Sequence, residues 1–102
     1  MGKPFFVEAL ENNDPELLKQ MNSLQEFVSR DGALPARIKV LMSMLADAIL
    51  GHTEGVNAIA KRARAQGATE EEIAETVRMA FYCAGMPGLV AGTFAFQNKR
   101  RL

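Results

Sequence analysis

Proline or threonine opens apolar repeats of helical period at Pro15, Pro35, Thr69 and Pro87, and glycine stands where repeats stop, at Gly32, Gly67 and Gly85. This punctuation constrains the chain more than any other feature in it. Proline suits the first turn of a helix, where its missing N–H is not needed, and glycine suits the left-handed residue just past the end. No stretch of useful length alternates apolar with polar residues, and no internal repeat is found. The expectation is an all-α fold of five or six helices.

Each segment adds detail. In DPELLKQMNSLQEFVSR, Asp14 caps, Pro15 takes the first helical position and Glu16 suits the positive helix start. Leu17, Leu18, Met21, Leu24, Phe27 and Val28 share one face, and Gly32 is the expected left-handed terminator. From Pro35 to about Leu50, Ile38, Leu41, Met42, Leu45 and Ile49 make one stripe, while Val40, Met44, Ala46 and Ala48 fill much of the rest. A helix apolar almost all round is a buried one, and here a second buried face points to a subunit contact. Val56, Ile59, Ala60 and Ala63 form the narrower stripe of a helix from about Thr53 to Gln66, with Lys61, Arg62 and Arg64 turned outward. GATEEEIAETVRMAFYCAG opens on a capping box, Thr69 with Glu72, and its three glutamates suit a helix start better than a metal site. Ile73, Val77, Ala80, Phe81 and Ala84 are its expected core face. Gly88 and Gly92, four apart, permit close backbone approach to another helix.

Composition narrows the function classes. A chain of 102 residues has room for one domain, and 48% hydrophobic with 24% charged residues is a globular composition. Twelve basic and twelve acidic residues cancel, which argues against nucleic acid and anionic membrane as partners. The terminal NKRRL reads as a solvated end. The N-terminus reads as neither a signal peptide nor a myristoylation site, and no run of about 18 apolar residues is present. The single cysteine, Cys83, excludes an intrachain disulfide and a cysteine-based zinc cluster, and points to a reducing compartment, so a cytoplasmic location is expected. Within AFYCAG it reads as a small core residue, and the six methionines read as core filler.

The order of the pieces is specific. LPARIKVLM runs into ADAILGH, and AIAKRARAQGATEEEIAETVRMAFYCAGMPGLVAG follows. This resembles the carboxymuconolactone decarboxylase and alkylhydroperoxidase-D-like superfamily, most closely at AQGATEEEIAE and GMPG. The resemblance spans about Leu34 to Phe96 of a single domain, residues 1–102, with 1–33 as an N-terminal helical extension. It implies an all-helical subunit assembled as a homotrimer or homohexamer, with the site near subunit contacts. It implies chemistry as well. Peroxidase-type members carry Cys-x-x-Cys at the helix junction, a histidine four residues on and an upstream glutamate; a thiolate attacks the peroxide and the second cysteine resolves the sulfenic acid. Those positions fall here on His52, Gly55, Ile59 and Val40. Thiol peroxidase chemistry by that mechanism is therefore not expected. The histidine of decarboxylase-type members also aligns with Ile59.

His52, the sole histidine, occupies the first-cysteine position. It is a candidate general base or ligand-binding group; the alternative is a polar residue that caps a helix or faces solvent. Glu54 and Asn57 lie two and five residues on, within reach of one helix turn, although Glu54 also suits the helix start. Asp47, five residues before His52, and Tyr82, the only tyrosine, complete the set. The candidate catalytic residues are thus His52 and Glu54, and the candidate ligand-binding residues are Asn57, Asp47 and Tyr82. A metal held by His52, Glu54 and Asp47 would need further ligands, so neither a metal nor a cofactor is expected. Two functions stay open. One is a small enzyme using acid–base chemistry on a small organic acid, lactone or similar metabolite. The other is a non-catalytic, oligomeric helical protein that binds a small molecule or partner. A second copy of the chain is the expected partner, without nucleic acid or membrane.

Overall fold

A computed structural model describes residues 3–97 as five α-helices and a 3₁₀ turn, with no strand among the described residues. The fold is all-α, as the helical period requires. The NKRRL tail lies outside the described residues. The chain divides into two compact units, one ending at Arg30 and one starting at Asp31.

The first unit holds α1 (Phe5–Asn13) and α2 (Pro15–Ser29), packed on each other. Asp14 caps α2 as expected, its carboxylate accepting from the Leu17 N–H at 3.0 Å, with Pro15 in the first turn. Neither helix contains a buried residue. Gly32 does not terminate α2 in the left-handed region, contrary to the sequence reading. Instead Arg30 turns extended at φ −76° and ψ 163°, which breaks the helix earlier.

The second unit holds α3 (Ala36–Ile49), α4 (Thr53–Ala65), α5 (Glu70–Gly92) and the 3₁₀ turn Thr93–Ala95. Asp31 accepts from the Ala36 N–H at 2.7 Å, supplying the cap that Pro35 cannot. α3 lies against both α4 and α5, and the 3₁₀ turn closes the end of α4. The core is built from Val40, Leu41, Met44 and Ala48 of α3, Val56, Ala60 and Ala63 of α4, and Ile73, Val77 and Ala80 of α5. On α3 this corrects the sequence stripe. Of Ile38, Leu41, Met42, Leu45 and Ile49 only Leu41 is buried, while Met42 and Ile49 are exposed. Apolar residues lie on more than one side of α3, so its neighbours choose which side is covered.

α4 ends as its glycine dictates. Gly67 has φ +95°, the Ala68 N–H reaches back to the Ala63 carbonyl, and the Gly67 N–H to that of Arg64. Thr69 and Glu72 form the full capping box, each side chain accepting from the other's backbone N–H at 3.0 Å. α5 breaks at Gly85, whose φ of +69° and ψ of −155° no helix contains. Pro87 restarts it. The second segment doubles back: a Cβ on Gly92 would lie 3.0 Å from Val77, whereas fifteen residues of straight helix span roughly 22 Å. The close approach expected of Gly88 and Gly92 is thus made, and its partner is the first segment of the same helix. Phe81 is exposed and Ala84 only half-buried, so the core face of α5 is shorter than its sequence indicated.

Two ion pairs brace this unit. Arg37 of α3 bonds Glu72 of α5. Arg64 grips Glu70 through two nitrogens, at 2.6 and 2.9 Å, and donates to the Ala95 carbonyl at 2.8 Å. Arg64 is therefore drawn inward, not turned outward as the sequence suggested. The Arg37 guanidinium, then the Thr69 N–H, hold the Glu72 carboxyl below the ordinary glutamate range. A group whose folded pKa is depressed adds stability above its unfolded pKa, and that stability disappears as pH falls through the folded value. Glu72→Gln is accordingly expected to flatten the acid limb of a stability-versus-pH curve below the ordinary glutamate range. Thermal melts from pH 7 down to about pH 3 check this; an unchanged acid limb would mean that the pair contributes nothing.

Candidate functional site

The α3–α4 junction brings together two of the residues singled out above. α3 ends in a Schellman turn. Gly51 takes φ +75°, its N–H bonds the Ala48 carbonyl at 3.1 Å, and the His52 N–H bonds the Asp47 carbonyl at 2.9 Å. The second bond spans five residues and folds His52 back over Asp47. An unbroken helix would set residues five apart on diverging faces.

The side chains then meet. His52 Nδ1 lies 3.5 Å from Asp47 Oδ2, with 64% of the His52 side chain and 22% of the Asp47 side chain exposed. That distance is an ion-pair contact, longer than an ordinary N–H···O hydrogen bond. His52 holds the N-cap position of α4, yet its side chain makes no capping hydrogen bond. Its carbonyl takes the Val56 N–H, which leaves the ring uncommitted to the helix. Nδ1 faces the carboxylate, and Nε2 has no hydrogen-bond partner among the described residues. An imidazole so arranged can accept or return a proton at Nε2 while the carboxylate faces its other nitrogen.

Gly55 makes room for this pair. It sits in the first turn of α4, where a Cβ would stand 2.0 Å from Asp47 Oδ2. Sequence reasoning treated position 55 only as a lost cysteine. The signal was available, because glycine inside a helix costs about 1 kcal/mol relative to alanine and so marks a backbone that something approaches closely.

The other candidates are placed differently. Glu54 is a first-turn acid of α4 and exposed, and Asn57, one turn on, is exposed too. Neither makes a side-chain hydrogen bond with His52. Tyr82 stands on α5 with 83% of its surface exposed, not partly buried, and no hydrogen bond ties it to the junction. Cys83 is also exposed, which corrects its reading as a core residue. The segment after Gly85 crosses Ala80 and Ala84, where Gly88 meets them, and leaves Cys83 uncovered. Among the described residues no group of three or more His, Cys, Asp or Glu side chains could hold a metal ion. Nor is any helix among them long and apolar enough to cross a membrane.

A separate open groove of about 520 Å³ runs between α3 and α5. Ile38, Leu41, Met42, Leu45 and Met79 supply its apolar lining, and Glu72, Glu75 and Arg78 its charged lining. Much of the missing α3 stripe lies here. The Asp47–His52 pair is not part of this groove.

Comparison with known proteins settles the lineage. Residues 15–98 match the model of the carboxymuconolactone decarboxylase family. The chain belongs to the carboxymuconolactone decarboxylase family. The match begins at Pro15 and so takes in α2, which the sequence resemblance had left outside. A crystal structure of apo-lpg0406, a carboxymuconolactone decarboxylase family protein from Legionella pneumophila, superimposes with a TM-score of 0.81 and 28% identity. It covers 87% of this chain and 80% of that one. The uncharacterized protein MJ1511 of Methanocaldococcus jannaschii is 29% identical over 84 residues, which is 82% of this chain and 78% of that protein. Within this family member, the positions that the resemblance assigned to peroxidase groups hold buried Val40, exposed His52, Gly55 and half-buried Ile59.

Proposed function

We propose that this family member acts on a small organic acid, lactone or similar metabolite, with His52 as the proton-transfer group and Asp47 as its carboxylate partner. One observation carries the reading. The imidazole does no capping, lies against a carboxylate through Nδ1 and belongs to a side chain that is 64% exposed. In this role Nε2 removes a proton from carbon next to a carbonyl, or from an attacking water, and returns it to the product. No redox partner is required. Glu54 and Asn57, exposed on the first turns of α4, are assigned to substrate contacts. Thiol peroxidase chemistry is not part of the proposal, because Cys83 is the only cysteine and lies on α5.

The test uses the single histidine as a reporter. A panel of small carboxylic acids and lactones is titrated while the His52 ring protons are followed by NMR. The expected result is a compound that shifts these signals and is turned over. A compound turned over without perturbing the ring would overturn the assignment. Binding without turnover of any panel member would replace it with the non-catalytic reading.

Self-assembly belongs to the same proposal. Met42, Ile49, Met79, Phe81, Met86 and Val90 of α3 and α5 are all exposed in the single chain. Large apolar side chains gathered on two neighbouring helices favour burial against a second copy. Sedimentation at micromolar concentration is expected to give a trimer or hexamer; a stable monomer would contradict this.

A further inference from the structure

We infer that Gly55 is a positioning residue, because the absence of a side chain there lets the Asp47 carboxylate face the His52 ring. The inference rests on the reading of His52 given above and names what holds that ring in one state. A Cβ on Gly55 would lie 2.0 Å from Asp47 Oδ2, 2.9 Å from Asp47 Cγ and 2.7 Å from His52 Nδ1. Carbon in ordinary contact sits at about 3.5–4.0 Å, so a methyl group and the carboxylate cannot share this space.

Backbone conformation does not account for the glycine. Gly55 lies within α4 and is not among the residues of positive φ. Alanine would suit that helical backbone better, by about 1 kcal/mol. What remains is space, and the carboxylate fills it.

The consequence falls on the imidazole tautomer. A carboxylate facing Nδ1 favours the proton on that nitrogen in the neutral ring, which leaves the lone pair on Nε2. The 3.5 Å contact is longer than a hydrogen bond; contacts at catalytic groups are often long in the free protein and tighten when substrate binds. A methyl at position 55 displaces the carboxylate and releases the ring to the opposite tautomer. Gly55 thereby acts on the chemistry through Asp47 and His52, without touching substrate.

The experiment is nitrogen NMR on histidine-labelled protein, where one imidazole gives one pair of ring nitrogens. In the spectrum of the neutral ring, the wild-type imidazole is expected to be chiefly protonated at Nδ1. Asp47→Ala and Gly55→Ala are each expected to invert that preference, and the double variant to add nothing further, since both remove one interaction. A wild-type ring protonated chiefly at Nε2 would overturn the inference. So would a Gly55→Ala spectrum identical to wild type, or a Gly55→Ala chain that fails to fold by circular dichroism, since α4 accommodates alanine. None of these readings requires turnover. If the tautomers invert as expected while His52→Ala leaves turnover intact, the proposed function falls and the role of Gly55 in setting the ring stands.

Discussion

Replacing His52 by alanine is expected to lower turnover by about 10²- to 10⁴-fold, the usual contribution of one positioned acid–base group. The fold should not suffer. The side chain is 64% exposed and caps nothing, so the stability change is expected to stay within about 0.5 kcal/mol. That separation makes the measurement decisive: circular dichroism and the melting curve should be unchanged while kcat falls. Asp47→Ala is expected to cost less, because it removes the partner and leaves the base. Added imidazole should restore part of the lost activity in His52→Ala, as free base takes up the vacated role. Turnover within a factor of two of wild type would reduce His52 to a junction residue.

The largest effect on stability is expected from Ile73→Ala, at about 2–5 kcal/mol. A domain of this size has roughly 5–15 kcal/mol in total, so this is a substantial share. Ile73 is fully buried, and with Met44 and Val56 it is one of the largest fully buried side chains. Around them stand Ala48, Ala60, Ala63 and Ala80, whose small size lets the helix backbones approach closely. Backbones already that close cannot collapse inward to fill the void, which places the cost toward the upper part of the range. Urea unfolding at one fixed protein concentration should show the midpoint falling by roughly 1–3 M with an unchanged slope. A shift equivalent to less than about 1 kcal/mol would show that the α3–α5 contact is looser than described.

Local rules wrote much of this structure into the chain. Asp14 and Pro15 start α2, Thr69 and Glu72 start α5, and Gly67 and Gly85 break helices where the sequence placed them. Each effect acts over four or five residues and needs no tertiary partner. The family was legible for the same reason, since its GATEEEIAE segment is a helix start with fixed spacing. Gly32 failed as a stop because the extended Arg30 had already ended the helix two residues earlier.

The candidate site divides along the same line. The sequence alone determined that the chain is all-α, that the only histidine falls at a helix junction, and that thiol groups are missing there. It could not determine that His52 meets Asp47. Their spacing of five suits neither a helix face nor a strand, and only the left-handed Gly51 folds the second residue over the first. Nor could it decide which side of α3 is core, why Cys83 is exposed, or why Gly55 must lack a side chain. Those outcomes depend on which neighbours fill the space around a residue, and that is fixed by the packing of α3, α4 and α5 together, not by the pattern along any one of them.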